Sequence, residues 1–428
     1  MLMYRWGLCG LVSLGLATMA FAGEPSSRKT ALPEAARFWP QFRGPHGNGH
    51  ADARGLPLRW SESENVAWKT AIHDLGWSSP VIWENQVWVT TGSKDGKQLF
   101  AVCVERDSGK VVHDVKVFDV ARPEKIAPSN SYASPTAAIE AGRVYVHYGT
   151  YGTACLNTSS GEVLWTRSDL TCDHHEGPGS SPILFGDLLI FNVDGCDVQY
   201  VVALDKKTGK TAWKTNRSID YTKVHKFCRK GFCTPAIFEL DGRAHLVSPG
   251  SKAVMSYDPA TGEELWKVRY RGWSVTPQPA YGNGLVYFVM DHDRPELWAV
   301  RPNGRGDLTD AHIAWKITEA VGPRTSPLLI GDLLYILKDT LTCVEAKTGQ
   351  TVWRERPKGS YSASPLYADG RIHLFSENAV ATLIEPGRQF KVIATNTLDG
   401  ALMATPAAVG HALFIRTQTH LYRIENPR

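Results

Sequence analysis

Asp173-His174-His175-Glu176 is the densest run of ligand-competent side chains in this sequence. Two imidazoles and two carboxylates suit a divalent cation, and imidazoles also exchange protons near neutrality. Four consecutive residues reach one ion only across a sharp turn, and Gly177-Pro178-Gly179 follows to make one. The plainer reading of the run is a cluster that braces its own loop. Asp291-His292-Asp293 has similar chemistry, and its plainer reading is an exposed turn. Trp77, Lys226, Lys252, Arg324 and Tyr361 fall in other loop-like stretches. Together with His174, His175 and Glu176 they would line a polar funnel for a sugar, peptide or anionic ligand. Apart, each is an ordinary surface residue, so everything turns on convergence.

No catalytic residue is assigned. The chain has no G-x-S-x-G, no H-E-x-x-H and no P-loop, the spacings that would mark a nucleophile, a zinc protease or a phosphate cradle. No metal-ligand set is assigned either. Lys and Arg number 47 against 43 Asp and Glu, with no basic run. Charge therefore gives no argument for nucleic acid.

The elements that must position these loops are repeats. Ala203 to Trp213 reads ALDKKTGKTAW, and SYDPATGEELW, CLNTSSGEVLW and CVEAKTGQTVW end at Trp266, Trp165 and Trp353. Cys103 to His113 is a degenerate copy that ends on His. Each copy reads as strand, turn and strand, with Gly at the left-handed turn position. Upstream of each lies an apolar run headed by proline: Pro80, Pro135, Pro182, Pro235, Pro277, Pro327, Pro365 and Pro406. Proline brings no N–H to a ladder and suits the first residue of a strand. Four short strands per unit, repeated radially, predict an all-β, eight-bladed β-propeller of four-stranded antiparallel blades. The eighth unit has only three strands before the C-terminus. Asn65 to Thr70 (NVAWKT) matches the missing strand, so the N-terminal strand is expected to close the ring.

The remaining features set the surroundings. Met1 to Arg5 is a short positive segment, Gly7 to Ala17 an apolar one, and Ala20-Phe21-Ala22 a small-x-small cleavage site. This pattern predicts a signal peptide over residues 1–22, a linker over 23–38 and one propeller domain over 39–428. The mature chain is expected to be periplasmic or secreted, with no transmembrane segment, and monomeric. Export permits disulfides. At least one is expected among Cys172, Cys196, Cys228 and Cys233, which fall in loops. None is expected at Cys103, Cys155 or Cys343, which share a small-residue strand position.

The A-x-D-x-x-T-G-K-x-x-W pattern resembles the tryptophan-docking motif of the PQQ-binding-like propeller family. That family includes quinoprotein dehydrogenases and BamB-type outer-membrane assembly propellers. Trp39-Pro40-Gln41-Phe42-Arg43-Gly44-Pro45, with Gly47 and Gly49, is similar to the opening of many secreted members. The resemblance spans residues 39–428. It implies that Trp68, Trp165, Trp213, Trp266, Trp315 and Trp353 pack blade against blade and do not hold a cofactor. Quinoprotein members often carry a vicinal Cys pair, and this chain has no Cys-Cys. The leading expectation is a non-catalytic platform for an envelope protein or polysaccharide, with no cofactor. The alternatives are a PQQ- and calcium-dependent alcohol or sugar dehydrogenase, and a metal-dependent activity at residues 173–176.

Overall fold

A computed structural model describes residues 38–427. The targeting segment, its cleavage site and the linker up to residue 37 lie outside them. Among the described residues helix is limited to two 3-10 turns, Gly149–Tyr151 and Lys226–Arg229. The strands form eight four-stranded antiparallel blades, two of which gain a short extra strand. The third blade is representative, with Ile183–Phe185, Leu188–Asp194, Gln199–Asp205 and Thr211–Asn216 in spatial order. Its two middle strands are buried almost throughout, because each face of a blade packs on a neighbour. That is why their sequences run apolar and do not alternate.

The ring closes as expected. Val66–Ala71 pairs antiparallel with His420–Ile424, Lys69 opposite Tyr422 and Thr70 opposite Leu421. Both chain ends thus share the eighth blade, and no radial edge is left open. Two extra strands had no sequence signal. His50–Ala51 adds parallel to Leu366–Ala368, and Gly306–Asp307 adds parallel to Glu264–Arg269.

The proline register differs from the expected one in two blades. Six of the prolines stand one residue before their strand, as Pro182 does before Ile183. Pro135 lies further back, before Ala138–Glu140, and in the fifth blade Pro279, not Pro277, immediately precedes Ala280–Gly282.

The Trp residues join the blades. Trp165 Nε1 donates to Lys206 O of the next blade at 3.1 Å. Its ring covers Gly209, whose φ is +71° and whose added Cβ would come within 2.7 Å of the indole. Glycine is thus required there twice, for backbone and for space. Trp68, Trp213, Trp315 and Trp353 repeat the bond, to the carbonyls of Arg106, Pro259, Ala346 and Gly387. His113 substitutes for Trp, its Nε2 lying 3.1 Å from Thr158 O above Gly161. Trp266 departs from the pattern. It lies opposite Gly306 of the extra strand, and its buried indole N–H has no partner among the described residues. In every blade a β-bulge interrupts the register beside this position, as between Ala203 and Leu204. A bulge bends the strand and re-aims its side chains, here toward the next blade.

The expected disulfide does not form: all seven described cysteines are free. Cys172 packs in the core, its Sγ 3.4 Å from His174 Nδ1. Cys233 is fully buried and turns its thiol to Pro277 O at 3.1 Å. Cys228 sits in the half-buried turn Lys226–Arg229. Cys103, Cys155 and Cys343 occupy buried third-strand positions, as their repeat register requires.

Candidate functional site

The segment after residue 38 crosses one mouth of the ring. Trp39 N bonds Ile82 O in the first blade, and Pro40 O accepts from Ile139 N in the second. Arg43 Nη2 donates to Pro327 O at 2.8 Å in the sixth, and Gly49 O accepts from Tyr367 N in the seventh. Phe42, from this segment, lines a funnel of about 280 Å³ whose other lining residues come from every blade.

The wall of the funnel is a ring of hydroxyls. Two residues before each first strand stand Ser79, Thr136, Ser181, Thr234, Gln278, Ser326, Ser364 and Thr405. The seven hydroxyl residues all line the funnel. Six links run from blade to blade around them. Ser79 N donates to Thr136 Oγ1, Thr136 N to Ser181 Oγ and Ser181 N to Thr234 Oγ1, each at 2.9 Å. Gln278 N, Ser326 N and Ser364 N continue the chain to Ser326, Ser364 and Thr405, each at 3.0 Å. A short polar side chain at this position satisfies the backbone N–H at the head of a neighbour's strand.

Two cations stand beside this ring. Arg43 and Arg416 are fully buried, and neither forms an ion pair among the described residues. Arg416 Nη1 donates to Ser78 O at 3.1 Å, next to Ser79. Burial pushes both guanidinium pKa values down to about 9, which still leaves them charged at neutral pH. Arg43 Nε and Nη1 and Arg416 Nε find no acceptor among the described residues.

The sequence-predicted residues divide three ways. Trp77, Glu176 and Arg324 line the funnel, and His292 joins them from the fifth blade. Arg324 is half exposed and reaches Glu377 Oε1 at 3.4 Å. Tyr361 is buried in an adjoining hollow beside Arg324, its hydroxyl donating to Lys358 O at 3.0 Å. The others do not converge. His175 stacks on Phe227 with centroids 4.2 Å apart, and Lys226 lies over the same ring. Lys252 is spent on Arg271 O at 2.6 Å.

His174 turns away from the funnel altogether. It is buried behind Gly179 in a chamber with room for about one water molecule, beside His147, Cys172, Asp194 and Lys230. Burial drives its pKa well below the usual imidazole value, with the Lys230 charge adding to the effect. The run 173–176 therefore diverges. One imidazole points in, one stacks outside, and Glu176 alone reaches the funnel. Among the described residues no group of three or more His, Cys, Asp or Glu is placed to hold a metal ion.

Phe42, Asn130, Phe232 and Met403 complete the funnel and were not foreseen. The hydroxyl ring did carry a signal, a Ser, Thr or Gln two residues ahead of every first strand. A quinone held by calcium calls for several oxygen donors around the ion and positive partners for its carboxylates. The funnel's charged or titratable side chains are Glu176, His292 and Arg324. One carboxylate among them does not supply the set of oxygen donors that calcium needs.

Fold and funnel together define a closed eight-bladed propeller with a hydroxyl-walled axial site. The profile of the outer membrane protein assembly factor BamB family matches residues 58–216, 197–336 and 296–419, and the chain belongs to that family. Its fold is similar to BamB from Moraxella catarrhalis, at 12% identity and a TM-score of 0.58 over 84% of this chain and 99% of that one. It is similar to quinohemoprotein alcohol dehydrogenase from Comamonas testosteroni, at 10% identity and a TM-score of 0.64 over 92% and 82%. The computationally designed Ika8 protein is also similar, at 12% identity and a TM-score of 0.54 over 86% and 100%. No curated protein matches the chain. At these identities the structural likenesses concern the fold alone.

Proposed function

We propose that this chain is an exported, non-catalytic propeller that binds an envelope protein or polysaccharide through its funnel face. It works as a monomer, in the periplasm or outside the cell, and without a cofactor. The observation that carries the reading is the funnel wall. Hydroxyls from seven blades alternate with the apolar surfaces of Phe42, Trp77, Phe232 and Met403. Such a mixture orients a ligand by hydrogen bonds and grips it by apolar contact. The six hydroxyls that accept blade-to-blade bonds are held in place by the ring, and none of them is bonded to an imidazole or carboxylate; Ser362, also on the wall, donates to Glu377 Oε1 at 2.6 Å, a carboxylate that Arg324 also reaches. Family membership supports the reading, since the family is that of an outer membrane protein assembly factor. The alcohol dehydrogenase likeness, at 10% identity, is one of fold alone.

The test is a titration of the purified chain with PQQ and calcium, beside a panel of immobilised envelope glycans and peptides. Retention of a subset of the panel, with no quinone uptake and no dye reduction by alcohols or sugars, is expected. Stoichiometric PQQ uptake with calcium-dependent turnover overturns the proposal.

A further inference from the structure

The funnel floor has a directional chemistry beyond its polarity. Thr136, Ser181, Thr234, Ser326, Ser364 and Thr405 each accept a backbone N–H from the preceding blade. Among the described residues none of these six hydroxyls donates to a protein acceptor. A hydroxyl carries one proton and two lone pairs. Here one lone pair is used by the scaffold, while the proton remains free beside the funnel. All six side chains are at least nine-tenths buried, so their orientation is set by the ring and not by bulk water. The result is a circle of O–H donors around one axis.

The electrostatics point the same way. Arg43 and Arg416 stand behind this circle and do not line the funnel; they bond Pro327 O and Ser78 O, next in sequence to Ser326 and Ser79, and are buried without a carboxylate partner. Arg43 keeps two unpartnered N–H positions. A buried cation without a counter-ion is costly, and an anion on the axis would offset that cost. Arg324 and His292 add positive or protonatable groups higher in the funnel, and Glu176 is its one carboxylate.

We propose that the funnel floor is an oxoanion site, which holds one carboxylate, phosphate or sulfate group of the ligand on the axis of the ring. An oxoanion concentrates several acceptors on one charged centre and makes shorter, stronger bonds to O–H donors than a neutral acceptor does. A neutral sugar hydroxyl can use the same free protons and lone pairs, but it brings no charge to answer the two buried cations, and that separates it from an oxoanion. This inference rests on the reading of the funnel as a ligand site and specifies the chemistry of that site.

The experiment titrates the full chain with sodium sulfate, glucuronate and glucose by calorimetry at constant ionic strength. Saturable binding of sulfate and glucuronate, and none of glucose, is expected. Glu176→Gln removes the opposing carboxylate and is expected to tighten glucuronate binding severalfold. Ser129→Glu places a second carboxylate at an exposed position of the wall and is expected to weaken it about tenfold or more. Melting curves of both variants should match the parent, because neither side chain holds the blades together. Glucose binding as tightly as glucuronate, with Glu176→Gln without effect, overturns the oxoanion site and leaves a binding funnel standing. Failure of all three probes in a chain that still retains panel ligands through Trp77 also overturns it. Failure of the probes and of the panel together overturns both this inference and the proposed function.

Discussion

Lys230 Nζ lies 3.0 Å from Nδ1 of His174, and both side chains are buried in the wall behind the funnel. The ammonium donates and the neutral imidazole accepts. His174 Nε2, on the far side of the ring, has no partner. Gly149 makes the room. Its φ is +62°, and an added Cβ would stand 2.2 Å from that nitrogen. A neutral histidine pressed against a lysine has consequences for acid stability.

Burial lowers the pKa of His174 well below normal, that of His147 to about 3 and that of His373 to about 4. In the unfolded chain each takes a proton near pH 6.5. The unfolded state therefore binds more protons below that value, and stability falls as pH drops from 6.5 toward 4 and 3. Each histidine contributes a slope of roughly 1.4 kcal/mol per pH unit in that window. Glu124, whose pKa burial raises, acts in the opposite sense. Urea melts between pH 7.5 and 5 should show the decline, and His373→Leu should remove about one histidine's share of the slope. A flat profile in the parent contradicts the buried, neutral assignment.

The docking geometry separates two kinds of turn glycine. Gly209→Ala adds a left-handed strain and drives a methyl into Trp165, at 2.7 Å. Gly186→Ala adds only the strain, since nothing lies within 4 Å of its Cβ position. Gly209→Ala is expected to cost about 2–4 kcal/mol and Gly186→Ala about 1 kcal/mol. Chemical denaturation gives both values. Equal costs would mean that the Trp–Gly contact does not join the blades.

Closure makes the two chain ends depend on each other. Trp68→Ala removes the bond to Arg106 O and the ring packed against Gly109, across the seam between the eighth and first blades. A loss of about 2–3 kcal/mol is expected for this half-buried side chain. Deleting residues 23–71 should lower the melting temperature far more, because it opens the ring. A deletion that melts like the parent contradicts the closure.

The thiols should report their burial. Residues 23–428 should titrate as seven free thiols under denaturing, non-reducing conditions. In the native protein Cys228 should react first. Burial raises the pKa of Cys155, Cys172 and Cys343 to about 12 and that of Cys196 to about 11, which leaves little thiolate. Two thiols missing after denaturation would restore the expected disulfide.

The fold was legible because one motif does one job many times. Thr208-Gly209 and Trp165 meet across every seam of that kind, so the repeat in the sequence is the contact in the structure. The closing strand was legible for the same reason, since Ala67-Trp68-Lys69-Thr70 copies Ala212 to Thr215. The site was legible only in part. Trp77, Glu176 and Arg324 were found as polar or aromatic residues in loops, and the ring topology brings them together. His174 and His175 were selected by residue type, but adjacent residues point in different directions, and here one is buried while the other stacks on Phe227. Ser181 and Thr234 stand beside prolines that mark the strand heads, and nothing local distinguishes them from ordinary turn residues. Their role depends on the neighbouring blade, which no local pattern shows. The disulfide expectation failed because loop location does not set the direction of a side chain, and Cys172 and Cys233 both face inward.

The central claim, that the funnel is a binding site on a rigid ring, is tested most directly by blocking it. Ser129 is exposed on the funnel wall and forms no hydrogen bond among the described residues, so Ser129→Trp should fill the mouth without disturbing a blade. The measurement is retention of the glycan and peptide panel by parent and variant, at equal melting temperature. The account predicts that the ligands retained by the parent are lost by Ser129→Trp. Undiminished retention by the blocked variant would place binding elsewhere on the ring and contradict it.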